Sequence, residues 1–195
     1  MPDVEIMHIV EDSMIRDVMK NGGPTPAINA RIAGYVQAAE KAGCSAFMTA
    51  CSSIGASVEQ CRPLTNMLVT RIDEAMVEAA IAQGKRVAVL ATVETTLKPT
   101  LEFIKRKAIE AGKDIEIMPT LMSEAFTALL SGDNATHDRI VSAGLREAFG
   151  KADVVVLAQA SMARVMESME KPAIPVLTSP ECGVVRFKER VAALA

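Results

Sequence analysis

Apolar residues in this chain fall into short runs of six to eight positions, separated by stretches with helical spacing of apolar and polar side chains. The runs are rich in β-branched residues and lack strict alternation, which is typical of parallel strands covered by helices on both faces. We therefore predict seven strands: VEIMHIV (4–10), SAFMTAC (45–51), MLVTRI (67–72), RVAVLAT (86–92), DIEIMPTL (114–121), VVVLAQA (154–160) and IPVLTS (174–179).

Two of the stretches between these runs have clear helical signals. Residues 29–43 carry apolar side chains near positions i, i+3 and i+4 and end on Gly43. Residues 97–112 have Pro99 near the start, basic residues in the middle and Gly112 as a stop signal. Strands that alternate with helices through short connections predict an α/β fold with a parallel, doubly wound sheet.

The sequence also contains a weak internal repeat. Four pairs of matching segments are separated by 107 to 111 residues: Glu5-Ile6-Met7 with Glu116-Ile117-Met118, Arg31-Ile32 with Arg139-Ile140, Cys51 to Ile54 with Gln159 to Met162, and Val69 and Glu74 with Val176 and Glu181. A nearly constant offset through strands, a helix and a turn indicates duplication. We predict two pseudo-symmetric lobes, residues 1–82 and 83–182, with a C-terminal helix (183–195) packing on the first lobe.

The repeat leaves the first lobe short of one strand and one helix. The second half begins with RVAVLAT and a helix, roughly thirty residues ahead of Glu116, whereas nothing precedes Glu5 in the first half. We expect the first lobe to lack its opening strand, through loss or through a late or misplaced start. The sheet edge left open could pair with a second copy, so a homo-oligomer is an option.

Composition and charge narrow the range of partners. The formal net charge of −3 provides no basic footprint, so we expect neither nucleic acid nor a membrane surface as partner. The four cysteines lack metal-ligand spacing and the two histidines lie far apart, so we expect reduced thiols, no metal and a cytoplasmic protein.

The candidate chemistry lies at the ends of the predicted strands, where ligands bind in parallel α/β sheets. Cys51 ends one strand just before Ser52 and Ser53, at what resembles a helix start. The partial positive charge there favours a thiolate that could act as base or nucleophile, and the hydroxyls and free N–H groups suit a carboxylate. The structural alternative is a small buried thiol with Ser52 as a helix cap.

Gln159 occupies the equivalent position in the second half, at the tip of an otherwise apolar strand. A buried amide needs hydrogen-bond partners, which a ligand or a facing loop could supply. Ala160 and Ser161 follow it, and Thr92, Thr95 and Thr96 follow another strand end. These hydroxyl groups could bind an anion or cap the next helix.

Two histidines and two glutamates also lie near predicted strand ends or helix starts. His8 could reach the cleft, whereas a solvated or capping role is expected for His137. Glu74 and Glu181 could orient groups in the cleft but are expected to be solvated.

The stretches TACSSIG (49–55), VVVLAQASMA (154–163) and PVLTSPE (175–181) resemble the aspartate/glutamate/hydantoin racemase superfamily over nearly the whole chain from Glu5 onward. The resemblance implies two α/β lobes with the active site between them and catalysis without a cofactor. It also implies one catalytic cysteine from each lobe. Cys51 matches the first cysteine, and Gln159 stands where the second would be.

Because an amide does not carry protons near neutral pH, the resemblance and the residues together predict one-base chemistry at Cys51. The substrate would be a small carboxylate-bearing molecule, held in part by Ser52 and Ser53. The leading hypothesis is a racemase-like isomerase. The alternatives are a decarboxylating lyase similar to arylmalonate decarboxylase, a non-catalytic carboxylate-binding relative and, last, a hydrolase with His8 beside the thiol.

Overall fold

The computed structural model describes residues 4–194. Its helices are α1 (Asp12–Asn21), α2 (Pro26–Lys41), α3 (Gly55–Glu59), α4 (Glu74–Gln83), α5 (Glu94–Glu110), α6 (Ser123–Leu130), α7 (Asn134–Phe149) and α8 (Ser179–Ala192). Its strands are β1 (Ala46–Thr49), β2 (Leu68–Arg71), β3 (Arg86–Ala91), β4 (Glu116–Leu121), β5 (Val154–Leu157) and β6 (Val176–Thr178), and 3-10 helices span Ser52–Ile54, Arg62–Leu64 and Ala160–Ser168.

The strands form two parallel sheets. The larger sheet has the order β4-β3-β5-β6, and the smaller one pairs β1 with β2. All neighbouring strands run parallel, with Val87 opposite Val154 in the larger sheet and Ala46 opposite Leu68 in the smaller. The predicted α/β fold with parallel sheets flanked by helices is confirmed.

Strands β3 and β5 are buried because helices cover both faces of the larger sheet. On one face, Val89 and Val156 pack with apolar side chains of α4 and α5. On the other face, Leu90 and Leu157 pack with side chains of α6, α7 and the 3-10 helix Ala160–Ser168. This double covering explains why these strands are apolar at consecutive positions.

The first part of the chain has a core of its own. Val18 of α1 and Ile32 and Val36 of α2 pack with Val58 of α3 and Val69 of β2. Helix α2 supplies the largest share of this core because its apolar residues recur every three or four positions.

Helices α2 and α7, one in each half of the chain, have the same length and the same kind of N-terminal cap. Helices α2 and α7 are both 16 residues long, and their first residues, Pro26 and Asn134, are 108 positions apart. In each, the side chain of the preceding residue, Thr25 or Asp133, accepts a hydrogen bond from a backbone N–H of the first turn. This correspondence has the same offset as the sequence repeat, and the duplication stays a prediction.

The predicted strand at 4–10 is wrong. Residues 5–10 have no regular structure, and their side chains are exposed, with Ile6 57% and Val10 88% accessible. A strand needs a neighbour to complete its hydrogen bonds, and no strand of the described residues lies beside this segment. Within residues 4–194 the smaller sheet contains only β1 and β2.

The boundaries of several other elements differ from the predictions by a few residues. Helix α2 begins at Pro26 instead of residue 29, and α5 begins at Glu94 instead of residue 97. The observed strands are shorter than the apolar runs, and β4 is partly exposed because it lies at a sheet edge. Apolar runs overestimate strands because residues beyond the last ladder pair, such as Ala50 and Ala160, are apolar without belonging to a sheet.

Helix α8 lies against elements of both sheets. It contacts α4 and also touches β2 and β6. Gly183 of α8 permits close packing, since a Cβ atom there would lie 2.1 Å from the carbonyl oxygen of Ile72. None of the described helices combines the length and the apolar character needed to cross a bilayer.

Candidate active site

Three of the strand ends that carry candidate residues are connected to one another by direct contacts. Cys51 follows β1, Thr92 follows β3 and Gln159 follows β5. The 3-10 helix Ser52–Ile54 packs against α5, whose first turn begins just after Thr92. The structure therefore brings together the segments that the sequence singles out, at the carboxyl ends of the parallel strands.

Cys51 lies in an extended conformation between β1 and the 3-10 helix. Its backbone N–H donates to the Thr49 hydroxyl at 3.3 Å, and its carbonyl accepts from the N–H of Ile54 at 3.4 Å. The residue is half-buried, and its thiol is free. The expected helix start is a 3-10 turn that continues into the short helix α3.

The two serines after Cys51 are buried in the contact with α5. Ser52 is 7% and Ser53 is 3% exposed. The hydroxyl of Ser53 lies 3.2 Å from the hydroxyl of Thr96, and either can act as the donor. The contact between Ser53 and Thr96 therefore joins the Cys51 segment, residues 51–59, to α5.

Gln159 is held by Thr92 through two hydrogen bonds. The backbone N–H of Thr92 donates to Gln159 Oε1 at 2.5 Å, and the Thr92 hydroxyl donates to the same atom at 3.0 Å. Because a backbone N–H can only donate, it fixes which end of the amide faces Thr92. The amide nitrogen therefore points away from Thr92, with two N–H donors to offer.

The remaining predicted binding residues lie at the starts of the helices that follow Thr92 and Gln159 in the sequence. The Thr95 hydroxyl is buried and has no hydrogen-bond partner among the described residues. Ala160 is exposed and Ser161 half-buried, both at the start of the 3-10 helix Ala160–Ser168. Thr95 is thus a polar group whose hydrogen bonding is incomplete in this structure.

His8, Glu74 and Glu181 have different environments in the structure. His8 lies exposed in the irregular segment 5–10. Glu74 is not solvated as expected: it is half-buried and forms ion pairs with Arg62 at 3.1 Å and Arg190 at 3.5 Å. Glu181 is exposed in the first turn of α8, as expected for a solvated charge.

The expectation of a solvated His137 is wrong. Its side chain is fully buried, with Nδ1 2.7 Å from Asp138 Oδ1, and its Nε2 has no partner among the described residues. Arg164 also binds Asp138, at 2.8 Å. Burial raises the pKa of the Asp138 carboxyl, but the hydrogen bonds from His137 and Arg164 outweigh it, and the net pKa is lowered.

Sequence reasoning missed a buried ionic cluster centred on Arg71, the last residue of β2. Its Nε and Nη2 donate to the two carboxylate oxygens of Asp73 at 2.6 and 2.8 Å, and its Nη1 donates to Glu59 at 3.1 Å. Its guanidinium also stacks 3.8 Å from the ring centre of Phe103. The sequence did contain one indication of this cluster, an arginine inside the apolar run MLVTRI. A buried arginine must be paired with a negative charge.

The charge of Arg71 is retained in spite of its burial. Burial alone would lower the pKa of the guanidinium, but the hydrogen bonds and negative charges of Asp73 and Glu59 outweigh it. The net effect raises the pKa of Arg71 above its usual value. The cluster is therefore a permanently charged element next to the Cys51 segment.

A small depression lies beside Arg71 and Glu74 at the carboxyl end of β2, and a larger one lies at the other end of the strands. A depression of about 410 Å³ lies near Gly84, Lys85 and Asp114, at the starts of β3 and β4, opposite the strand ends that carry the candidate residues. Within residues 4–194, no three His, Cys, Asp or Glu side chains stand together as a metal site would require.

The chain belongs to the Asp/Glu/hydantoin racemase family, whose sequence model matches residues 1–187. Among curated proteins, none matches the sequence. The family assignment agrees with the parallel α/β architecture and with the resemblance carried by the segments around Cys51 and Gln159.

Solved racemase structures have a similar fold. Glutamate racemase isoform RacE1 from Bacillus anthracis superposes with a TM-score of 0.62 and 13% identity, over 87% of this chain and 68% of that chain. Allantoin racemase from Klebsiella pneumoniae gives 0.64 and 17% over 85% and 67% of the two chains. Aspartate racemase from Picrophilus torridus gives 0.62 and 14% over 90% and 74%. At these identities the likeness shows the fold.

Proposed function

We propose that this racemase-family chain is an enzyme in which one thiol, Cys51, moves a proton at the carbon next to a carboxylate. The observation that carries the proposal is the pairing of Cys51 with Gln159 at equivalent strand ends. A thiol can give and take a proton, whereas an amide cannot do so near neutral pH. The reaction is therefore an isomerisation of the one-base type.

Gln159 would bind the substrate instead of carrying a proton. Because Thr92 holds the amide oxygen, the two N–H donors of Gln159 are free to contact a carboxylate or an enediolate oxygen. Donors aimed at developing negative charge stabilise a transition state. The buried hydroxyl of Thr95, together with Ser52, Ala160 and Ser161, would complete the binding surface, with Ser53 as a further donor.

We propose a small carboxylate-bearing substrate, with neither nucleic acid nor a membrane as a partner. Two of the solved relatives are named for glutamate and aspartate, which are small molecules with carboxylates, and one is named for allantoin, a small polar molecule without a carboxylate. Thiol proton transfer requires no cofactor. We place the protein in the cytoplasm, where the four free cysteines would stay reduced.

A decarboxylating lyase is the second candidate, favoured by the same Gln159. Loss of carbon dioxide from a substrate with two carboxylates leaves an enediolate. The S–H of Cys51 would protonate one face of it, and the thiolate would regain a proton from water. One proton carrier is sufficient for this reaction. A third option is a carboxylate-binding relative without catalysis.

The proposal is tested with Cys51→Ser and Cys44→Ser in deuterated water. Glutamate, aspartate, allantoin and an arylmalonate are incubated with each protein, and deuterium at the acidic carbon is followed by NMR. Cys51→Ser should slow exchange or turnover at least about 100-fold, the scale of a lost general acid or base, while Cys44→Ser should match the wild type.

The products separate the candidates. Deuterium exchange or inversion without release of carbon dioxide identifies an isomerase, and release of carbon dioxide identifies a lyase. Binding of a carboxylate without either reaction supports the non-catalytic alternative. Equal activity in wild type and Cys51→Ser would overturn the role of the thiol.

A further inference from the structure

The guanidinium of Arg71 lies directly against Gly55, four residues after Cys51. A Cβ atom added to Gly55 would lie 2.4 Å from Arg71 Cζ and 2.6 Å from Nε and Nη2. No side chain fits there unless the arginine moves, and its bonds to Asp73 and Glu59 hold it in place. The two groups can lie this close only because residue 55 has no side chain.

Arg71 contacts both ends of α3. Gly55 is the first residue of this helix and Glu59, which accepts from Arg71 Nη1 at 3.1 Å, is its last. The segment from Cys51 to Glu59 is continuous, with the 3-10 helix Ser52–Ile54 between the thiol and Gly55. Movement of α3 relative to Arg71 would therefore displace the residues that present the thiol.

We propose that Arg71 is a positioning residue for Cys51: it fixes α3 through Gly55 and Glu59 and so sets the placement of the thiol at the strand ends. This inference rests on the proposed function in one respect: the placement of the thiol matters for catalysis only if Cys51 transfers the proton. The arrangement itself is a property of the Cys51 segment and is testable without a substrate.

The physical chemistry of the cluster fits positioning better than stabilisation. A buried ion pair gives little net stability compared with apolar residues of similar size, but its directional bonds select one arrangement. Arginine is suited to this role because its planar donor groups bind a carboxylate at two points and stack on an aromatic ring. Arg71 does both, with Asp73 and Phe103.

The second half of the chain lacks this cluster. At the offsets of the repeat, Ala163 stands in place of Gly55, Thr178 in place of Arg71 and Pro180 in place of Asp73. The cluster thus accompanies the half that has the thiol and is absent from the half that has Gln159. If the cluster were needed only to build the fold of a lobe, we would expect it in both halves.

The first pair of variants is Arg71→Lys and, as a control, Arg86→Lys. Arg86 also binds a carboxylate through Nε and Nη2, but at the opposite end of the larger sheet. In the folded proteins, alkylation by iodoacetamide is measured separately for Cys51 and Cys44 by peptide mass spectrometry. We expect Arg71→Lys to raise the Cys51-to-Cys44 rate ratio at least about fivefold, because a freed segment exposes a half-buried thiol. Arg86→Lys should leave the ratio unchanged.

The second pair is Gly55→Ala with Gly34→Ala as its control. Gly55→Ala changes no charge and perturbs the same contact from the other side. Gly34 lies within α2, and a Cβ atom there would meet no other atom within 4 Å. We expect Gly55→Ala to raise the Cys51-to-Cys44 ratio as Arg71→Lys does, and Gly34→Ala to leave it unchanged.

Turnover provides a separate measurement. If wild type acts on a carboxylate, Arg71→Lys should lower kcat about tenfold or more, with KM within about threefold, because a misplaced group affects the chemical step. Faster alkylation with slower turnover is the expected signature. A uniform rise at all four cysteines would indicate general loosening and overturn the proposal.

The two proposals fail in distinguishable ways. If Arg71→Lys and Gly55→Ala fold and leave both the alkylation ratio and kcat unchanged, the positioning role is wrong and the one-thiol function stands. If wild type shows no turnover but the ratio rises in both variants, the positioning role stands and the proposed function fails.

Discussion

At the scale of single residues, the fixed orientation of Gln159 is the feature with the clearest consequence. Two donors of Thr92 occupy its oxygen, so any further contact of this amide is made through N–H groups. An anion is the natural partner for such donors. The position that would carry a second thiol in a two-cysteine racemase therefore becomes, in our proposal, a binding position.

Gln159→Glu tests this role with almost no change in shape. A carboxylate oxygen can still accept from Thr92, but the N–H donors are replaced by a negative charge. We expect the affinity for a small carboxylate to fall at least about tenfold, equivalent to about 1.4 kcal/mol. Binding of glutamate, aspartate and an arylmalonate is measured by calorimetry. The exposed Gln37 of α2 supplies the control, Gln37→Glu, which should bind as wild type does.

Unchanged affinity in Gln159→Glu would remove this residue from the binding surface. The prediction is specific because the two variants alter net charge equally. A general electrostatic effect would therefore appear in both.

Residue-scale chemistry could be predicted only in part from the sequence. The strand-end positions of Cys51 and Gln159 follow from hydrophobic pattern and repeat, since a polar residue that ends an apolar run stands out. The burial of His137 could not be predicted, because it depends on packing of α7 and on Arg164, 27 residues away in the sequence. The Arg71 cluster likewise depends on contacts from α3 and α5.

At the scale of elements, Asp153 joins the starts of two strands. Its carboxylate accepts from the backbone N–H groups of Lys85 and Arg86 and from the Arg86 side chain at 2.7 Å. The hydrogen bond from the Arg86 side chain, together with those from the backbone, lowers the pKa of Asp153 from 3.8 to about 2. The charged form is therefore preferred in the folded state.

Because its pKa is lowered in the folded state, Asp153 contributes to stability in a way that depends on pH. The stabilisation is fully present above pH 3.8 and is lost as the pH falls through about 2. Asp153→Asn should thus lower Tm at neutral pH, and the difference from wild type should shrink between pH 4 and pH 2. Thermal unfolding followed by circular dichroism across this range measures it.

Asp114→Asn serves as the comparison for Asp153. Asp114 is 95% exposed at the side chain and pairs with Lys85 at 3.9 Å, so its removal should leave Tm unchanged. A difference between wild type and Asp153→Asn that stays constant from pH 7 to pH 2 would contradict the assignment of the lowered pKa.

Elements with covered faces could be predicted better than those at edges. The runs around β3 and β5 are correctly predicted as strands because burial on both faces makes them apolar throughout. The run at 4–10 is also rich in β-branched residues, but within residues 4–194 it has no neighbouring strand. The apolar pattern of a single run does not report whether a partner strand is present, whereas the repeat indicated that one is missing. The start of α2 was predicted three residues late because the helix begins with the cap Thr25 and with Pro26. The spacing of apolar residues does not reveal a cap.

At the scale of the whole molecule, the predicted lobes are joined through the candidate site. The 3-10 helix Ser52–Ile54 packs on α5, and Glu59 of α3 binds Arg106 of α5 at 2.6 Å. The proposed boundary near residue 82 lies between these partners. Helix α4, on the first-lobe side of that boundary, packs with β5 of the larger sheet. The division into lobes stays a prediction, as does assembly with a second copy.

The buried contact between Ser53 and Thr96 tests how strongly the two halves are coupled. Both side chains are buried, and their hydroxyl oxygens lie 3.2 Å apart. Ser53→Ala and Thr96→Val should each lower the free energy of unfolding by about 1–2 kcal/mol, because each leaves a buried hydroxyl without its partner. The double variant should lose less than the sum, with a coupling of at least about 0.5 kcal/mol. Urea unfolding with a constant m-value measures all four proteins, and the exposed Thr127→Val should change stability by less than about 0.5 kcal/mol. Strict additivity of the two single changes would show that the hydroxyls act independently and that this contact does not couple the halves.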